Sequence, residues 1–140
     1  MNTITKNDAY DAAQLFMDYC YKKTNYSDAA ILASDMLLSS YSMPFDSATW
    51  ADWNKALQKA LKNGAASPGA DISVLDAYNA MVYFLEIYCS MGAENDFVSL
   101  VQDLKNQQSA EYPYALWLKI VDDVVSKNPR NRPYLIYKNE

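Results

Sequence analysis

The chain has 140 residues, of which 51 % are hydrophobic and 21 % charged, and its formal net charge at pH 7 is −5. A chain of this size and composition can bury roughly two thirds of its unfolded surface, so it can fold around one core without a metal ion or disulfide. It contains no histidine, which excludes histidine-dependent catalytic triads and dyads.

The first predicted helix runs from about 6 to 23. Thr5 is a typical helix N-cap, and Asp8 follows three residues later, as in a carboxylate version of the capping box. Behind them, apolar residues of helical spacing form a stripe that ends at Cys20. The pattern therefore predicts an amphipathic helix at the start of the chain.

Two more helices follow in the first half of the chain. Ser27 is a favourable N-cap, and we expect the second helix near 28–40. The third is predicted at about 47–63, where Trp50 and Trp53 begin an apolar stripe of helical spacing. The glycine-, alanine- and serine-rich stretch 64–71 comes next and is typical of a linker.

The second half repeats the first. Residues 4–36 align with residues 72–104 at a constant offset of 68 without a gap, and nine of the 33 positions are identical. The alignment continues through the third helix at an offset of 67, where Trp50 meets Trp117. The identical pairs are Ile4/Ile72, Asp8/Asp76, Ala9/Ala77, Tyr10/Tyr78, Ala12/Ala80, Phe16/Phe84, Asp28/Asp96, Leu32/Leu100 and Asp35/Asp103.

The repeat predicts helices near 74–91, 96–108 and 114–127, with Ser73 and Asn95 as N-caps. We expect an all-α fold in which two diverged copies of a three-helix unit share one core, giving about six helices. Three short helices bury too little apolar surface alone, so we expect a single domain over 1–140. It contains the units 4–63 and 72–127, the linker 64–71, and a tail 128–140 that ends in a short extended segment.

Charge is unevenly distributed. Residues 71–126 carry nine acidic side chains against two basic ones, whereas the tail has a net charge of +3. A direct nucleic-acid ligand is disfavoured, because binding phosphates requires a basic stripe. The acidic half instead fits a basic protein partner, through electrostatic steering and complementarity.

Carboxylates are the remaining candidates for catalysis or metal binding. Adjacent acids such as Asp122 and Asp123 point about 100° apart on a helix and typically lie on a solvated face. Asp35 and Asp103 stand beside apolar residues, so they either bond a neighbouring helix terminus or line a shared groove. We expect no catalytic, metal or cofactor site, and therefore not an enzyme.

Cysteine and tyrosine usage point to packing and to interfaces. Cys20 and Cys89 lie in apolar stripes, and we expect both to be buried free thiols. The chain has twelve tyrosines, and Tyr112 and Tyr114 flank Pro113 in a predicted loop. Because tyrosine combines a large ring with a polar hydroxyl, these two are candidates for contacts with a partner.

Three segments resemble a family of small all-helical bacterial proteins. Residues 8–19 (DAYDAAQLFMDY), 33–36 (ASDM) and 46–53 (DSATWADW) are similar to the family's helix, Ser-Asp-Met segment and Asp-Pro-Ala-x-Trp-x-Asp-Trp helix start. Residues 77–85 (AYNAMVYFL) match the first motif more closely. Members of this family are similar to immunity proteins of contact-dependent growth inhibition and related polymorphic toxin systems.

The resemblance implies a cytoplasmic protein that binds a cognate toxin domain, typically a nuclease, and blocks its active site. A nuclease is usually basic because it binds phosphates, which agrees with the acidic second half. We expect the toxin-binding surface to be in that half. The candidate residues are Glu94, Asp96, Asp103, Glu111, Tyr112, Tyr114, Asp122 and Asp123.

Two other functions are open on the sequence alone. A helical adaptor that holds an amphipathic peptide predicts an exposed apolar groove and weak dependence of binding on salt. An enzyme that uses carboxylates and a divalent metal requires several acids within reach of one ion. The most apolar run, 77–91, is interrupted by Glu86 and is too short to cross a bilayer, so we expect no membrane partner.

Overall fold

The computed structural model describes residues 3–38, 47–61, 71–106 and 112–126, and within these ranges the fold is all-α. Two short strands accompany the helices. The predicted linker 64–71, apart from its last residue, and the predicted tail 128–140 lie outside the described residues. The elements in chain order are β1 (Thr3–Thr5), α1 (Lys6–Thr24), α2 (Ser27–Leu38), α3 (Ser47–Leu61), β2 (Asp71–Ser73), α4 (Val74–Ser90), α5 (Asn95–Asn106) and α6 (Tyr112–Ser126).

The predicted helices are confirmed, each with both ends within two residues of the expected position. The predicted caps of α1 and α4 are confirmed as well. The Thr5 hydroxyl accepts a hydrogen bond from the Asp8 backbone N–H at 3.1 Å, and the Ser73 hydroxyl accepts one from the Asp76 N–H at 3.0 Å. Each bond satisfies a donor that a helix start leaves open, which fixes where the two helices begin.

The strand pair was not predicted. β1 and β2 run antiparallel, and their register places Ile4 opposite Ile72. Both isoleucines are buried, so the pair closes one end of the core. These two residues are also equivalents at the offset of 68, and equivalents that face each other across an antiparallel pair are what a twofold axis produces at an isologous interface. That the halves are copies of one unit stays a prediction of the sequence.

The third helix of each half packs on the first helix of the other half. The most extensive contacts of α3 are with α4, and those of α6 are with α1. One cluster of buried side chains includes residues of all six helices and of both strands. The six helices therefore pack around one core, in which the third helix of each half of the chain lies on the first helix of the other half.

Aromatic rings fill the core in matching pairs. Tyr10 of α1 meets Trp50 of α3 edge to face at 5.0 Å between ring centroids, and Tyr78 of α4 meets Trp117 of α6 in the same way at 5.9 Å. These four positions correspond between the halves. Such pairs add about 0.5–1.5 kcal/mol each beyond the burial of their surface. Burial raises the pKa of Tyr78 above its usual value.

A second set of ring contacts crosses between the halves. Trp53 of α3 contacts Phe84 of α4 at 5.8 Å, and Phe16 of α1 contacts Trp117 of α6 at 6.2 Å. Phe16 and Phe84 are identical repeat positions. Each first helix therefore presents one tyrosine to its own third helix and one phenylalanine to the third helix of the other half.

A buried carboxylate joins α2 to the other half. Asp28 is only 8 % exposed, and its two oxygens accept hydrogen bonds from the Glu94 backbone N–H at 2.9 Å and the Tyr88 hydroxyl at 2.8 Å. The carboxylate thus lies against the N-terminus of α5, where a negative charge is favoured. Burial and the hydrogen bond to Asp28 raise the pKa of Tyr88 above its usual value.

We expect Asp28→Ala to lower the free energy of unfolding by about 1–3 kcal/mol, because it leaves a partly buried hydroxyl and a partly buried backbone N–H without their acceptor. Urea denaturation monitored by tryptophan fluorescence measures the change. Asp96→Ala is the matched control, since Asp96 is the repeat equivalent of Asp28 and is exposed. The control should change stability by less than about 0.5 kcal/mol. Equal losses in the two variants would contradict a specific role for the Asp28 contacts.

Candidate protein-binding surface

The predicted acidic residues of α5 share one exposed face. Asp96 and Asp103 are both exposed, and because they are seven residues apart they lie on the same side of the helix. Lys105 is near them in sequence, but its ammonium pairs with the Glu86 carboxylate at 3.2 Å. The exposed face of α5 therefore carries net negative charge.

Glu94 combines exposure with a structural contact. It lies directly before α5, and its residue is exposed. Its carboxylate accepts a hydrogen bond from the Ser27 hydroxyl at 3.3 Å, while its backbone N–H donates to Asp28. Glu94 thus lies at the junction of the two halves as well as beside the acidic face of α5.

The predicted pair on α6 is divided between surface and core. Asp122 is exposed, whereas Asp123 is only 6 % exposed. The expectation that both lie on a solvated face is wrong for Asp123, because neighbouring helix positions differ by about 100° and α6 turns the second one inward. Only Asp122 of this pair is accessible to a partner.

The predicted loop around Pro113 is part of a helix, because α6 already begins at Tyr112. Tyr114 is half-buried, and its ring meets Tyr78 edge to face at 5.3 Å. Burial raises the pKa of Tyr114 above its usual value. The side chain of Tyr112 and the whole of Glu111 lie outside the described residues.

An apolar groove lies between α1, α5 and α6, with a volume of about 250 Å³. We call it the α1–α5 groove. Asp103, predicted as a binding residue, is at its edge, and on the α1 side the Lys23 ammonium lies 5.9 Å from the centroid of the Tyr19 ring. The residues that line it include Phe16, Cys20, Lys23, Leu100, Asp103 and Leu116.

A second hollow, the α2–α4 groove, lies between α2, α3 and α4 and has a volume of about 200 Å³. Asp35 lines this hollow, so Asp35 and Asp103 line two separate grooves and not one that they share. Met91, at its edge, is 67 % exposed. The residues that line it include Leu32, Asp35, Thr49, Phe84, Tyr88 and Met91.

Neither groove was predicted from the sequence. Each takes its residues from three helices and from both halves of the chain, so no local pattern marks it. The only signal was the position of Asp35 and Asp103 beside apolar residues. This pattern indicated one lining residue of each groove but not the apolar residues around that position.

Within the described parts of the chain, no three histidine, cysteine or carboxylate residues lie close enough together to hold a metal ion. In those same parts, no helix combines the length and apolarity needed to cross a bilayer. No family model matches the sequence, and no curated protein or solved structure is significantly similar to it.

Both cysteines are free thiols, as expected, but they differ in burial. Cys20 is buried on the groove side of α1, and desolvation raises the pKa of its thiol from 9.0 to about 12. Cys89 on α4 is half-buried, and desolvation raises the pKa of this thiol too. Because the thiolate is the reactive form, burial protects Cys20 from thiol reagents.

We expect Cys20 to resist a thiol reagent such as Ellman's reagent at about pH 8 in the folded protein, because both access and thiolate formation are suppressed. Cys89→Ala leaves Cys20 as the sole thiol, and its rate of modification should rise sharply in denaturant. Because the thiol ionises more readily once the chain is unfolded, the free energy of unfolding should also fall as pH rises from 9.0 toward about 12. Rapid labelling of the folded variant would contradict this burial.

Proposed function

We propose that this protein is an immunity-type inhibitor that binds a basic, nuclease-type toxin domain in the cytoplasm. The observation that carries the proposal is a set of exposed carboxylates, Asp96 and Asp103 on one face of α5 and Asp122 on α6. It lies in the half of the chain that has nine acidic and two basic side chains between residues 71 and 126. In this proposal the protein acts by binding and not by catalysis.

The physical basis is complementarity to a phosphate-binding site. A nuclease presents positive charge where nucleic-acid phosphates bind, and carboxylates on a rigid helix surface can occupy the same place. Single exposed ion pairs contribute little, roughly 0–1 kcal/mol each. Their combined field mainly accelerates association, which suits an inhibitor that must reach the toxin before its substrate does.

The exposure of each candidate side chain decides which of them can contact the toxin directly. Glu94 is exposed and adjoins the α5 face, so its carboxylate belongs with the three aspartates. Asp123 and Tyr114 lie beneath the exposed residues of α6, because the first is buried and the second packs on Tyr78. We assign to them the positioning of α6 and not direct contact with the toxin.

The α1–α5 groove supports a second candidate, a helical adaptor that binds an amphipathic peptide. Its walls are mainly apolar, and such grooves accept the apolar face of a partner helix. The two functions differ in their response to salt. Steering by carboxylates weakens as ionic strength rises, whereas burial of apolar surface changes little.

Capture of partners by the tagged protein from its native cells, at about 0.05 M and about 0.5 M salt, separates the two candidates. An inhibitor should retain a basic domain whose capture falls at the higher salt. The captured domain should also have a toxic activity that the protein suppresses. Partners captured equally at both salt concentrations and lacking such activity would overturn the inhibitor and favour the adaptor.

For the captured domain, we expect the triple variant Asp96→Asn, Asp103→Asn, Asp122→Asn to slow association about tenfold at low salt, because it removes the charge that steers encounter. Stopped-flow fluorescence measures the rate. Gln102→Glu adds a carboxylate to the exposed part of α5 and should act in the opposite direction. Unchanged association in both variants would remove α5 and α6 from the interface.

A further inference from the structure

The α2–α4 groove has two carboxylates and no basic group among its described lining residues. Asp35 of α2 and Asp52 of α3 are both half-buried, and both line the hollow. Partly buried charges are screened less by salt and water than exposed ones. The groove is therefore a site of negative potential, and α5 and α6 contribute no lining residue to it.

The N-terminus of α3 offsets only part of this charge. The first turn of α3 lines the hollow through Thr49. A helix N-terminus is equivalent to about half a positive charge, against two negative charges in this groove. Burial, the hydrogen bond to Asp28 and the charges of Asp28 and Asp35 raise the pKa of Tyr88, so the negative potential reaches the aromatic wall of the groove.

The α1–α5 groove has a different balance of charge. It is lined by one carboxylate, that of Asp103, and by one ammonium group, that of Lys23. Lys23 aligns with Met91 of the α2–α4 groove, and Lys119 aligns with Asp52. Of the two grooves, only the α2–α4 groove therefore presents two carboxylates without an opposing lysine among its described lining residues.

We propose that the α2–α4 groove binds an arginine side chain of the partner. The apolar residues Leu32 and Met91 fit the methylene stem of arginine, and the ring of Tyr88 fits its planar guanidinium. The carboxylates of Asp35 and Asp52 accept its N–H donors. This inference rests on the proposed function in taking the partner to be a basic domain, and it adds a contact outside α5 and α6.

The size of the groove and the geometry of arginine support this occupant. The hollow has a volume of about 200 Å³, and a cavity of about 150 Å³ already holds benzene, which has more heavy atoms than a guanidinium group. Arginine has five N–H donors in one plane and stacks on aromatic rings, whereas the lysine ammonium is a compact and strongly hydrated charge. Carboxylates on two different helices therefore suit arginine better than lysine.

N-acetyl-arginine amide tests the site directly, with the uncharged citrulline amide and the lysine amide as matched compounds. Each is titrated to about 50 mM into the isotopically labelled full chain at constant ionic strength, and backbone amide shifts are recorded by NMR. The arginine amide should give saturable shifts centred on Leu32, Asp52 and Tyr88. The citrulline amide should bind at least about fivefold more weakly, and the lysine amide should also bind more weakly.

Three outcomes of these titrations would overturn the proposal. The first is the absence of saturable shifts with the arginine amide. The second is equal binding of the citrulline amide or of the lysine amide. The third is a set of shifts centred on the α1–α5 groove.

A pair of aspartate variants tests the role of the carboxylates. Asp52→Asn removes one charge at nearly constant size and should weaken binding of the arginine amide about threefold. Asp71→Asn makes the same change at an exposed residue that does not line the groove, and it should leave binding unchanged. Equal effects of the two variants would overturn the pairing with Asp52. If Asp52→Asn does not fold, the three compounds with the unaltered protein still decide.

The chain has two arginines of its own, Arg130 and Arg132, which are the alternative occupants. If the groove serves a partner, the double variant Arg130→Gln, Arg132→Gln should bind the arginine amide as the unaltered protein does. Binding that appears only in the double variant would assign the groove to the chain's own arginines and overturn the proposal.

The amide titration does not depend on the toxin. Saturable binding in the groove without a captured toxin would retain the arginine site and reject the inhibitor function. A captured toxin whose affinity is the same for Asp52→Asn and the unaltered protein would retain the inhibitor function and reject the groove as its contact. The two failures therefore have different signatures.

Discussion

Each third helix packs on the first helix of the other half, and this crossed packing determines how the core is built. With α3 on α4 and α6 on α1, neither half surrounds its own first helix, and each completes the core of the other. The β1–β2 pair joins the two halves directly before α1 and α4, with Ile4 opposite Ile72. The cross-half ring contacts and both grooves follow from the crossed packing, because each of them needs helices from both halves.

Aligned positions of the two halves differ where they meet different neighbours. Asp28 is buried and accepts two hydrogen bonds, while Asp96, which aligns with it, is exposed. Aligned residues thus occupy corresponding places in the fold, while their polar groups either bond to the other half of the chain or face the solvent.

The sequence predicted those features that depend on nearby residues. Helix spacing and N-caps fixed the helices, and Thr5 and Ser73 cap α1 and α4 as expected. The strand pair escaped prediction because three residues before a cap carry no strand pattern, and their pairing is decided by contact 68 residues away. The inward turn of Asp123 and the groove edge at Asp103 depend on how α6 and α5 are rotated against other helices, which local patterns do not specify.

The contact of α6 with α1 also determines when the α1–α5 groove forms during synthesis. These helices stand at opposite ends of the described chain, and such distant contacts form slowly because closing a long loop costs conformational entropy. During synthesis, α1 emerges long before α6, so Phe16 has no Trp117 to pack against until α6 has been made. The α1–α5 groove therefore forms only after α6 has been made, and a shortened chain that lacks α6 does not carry it.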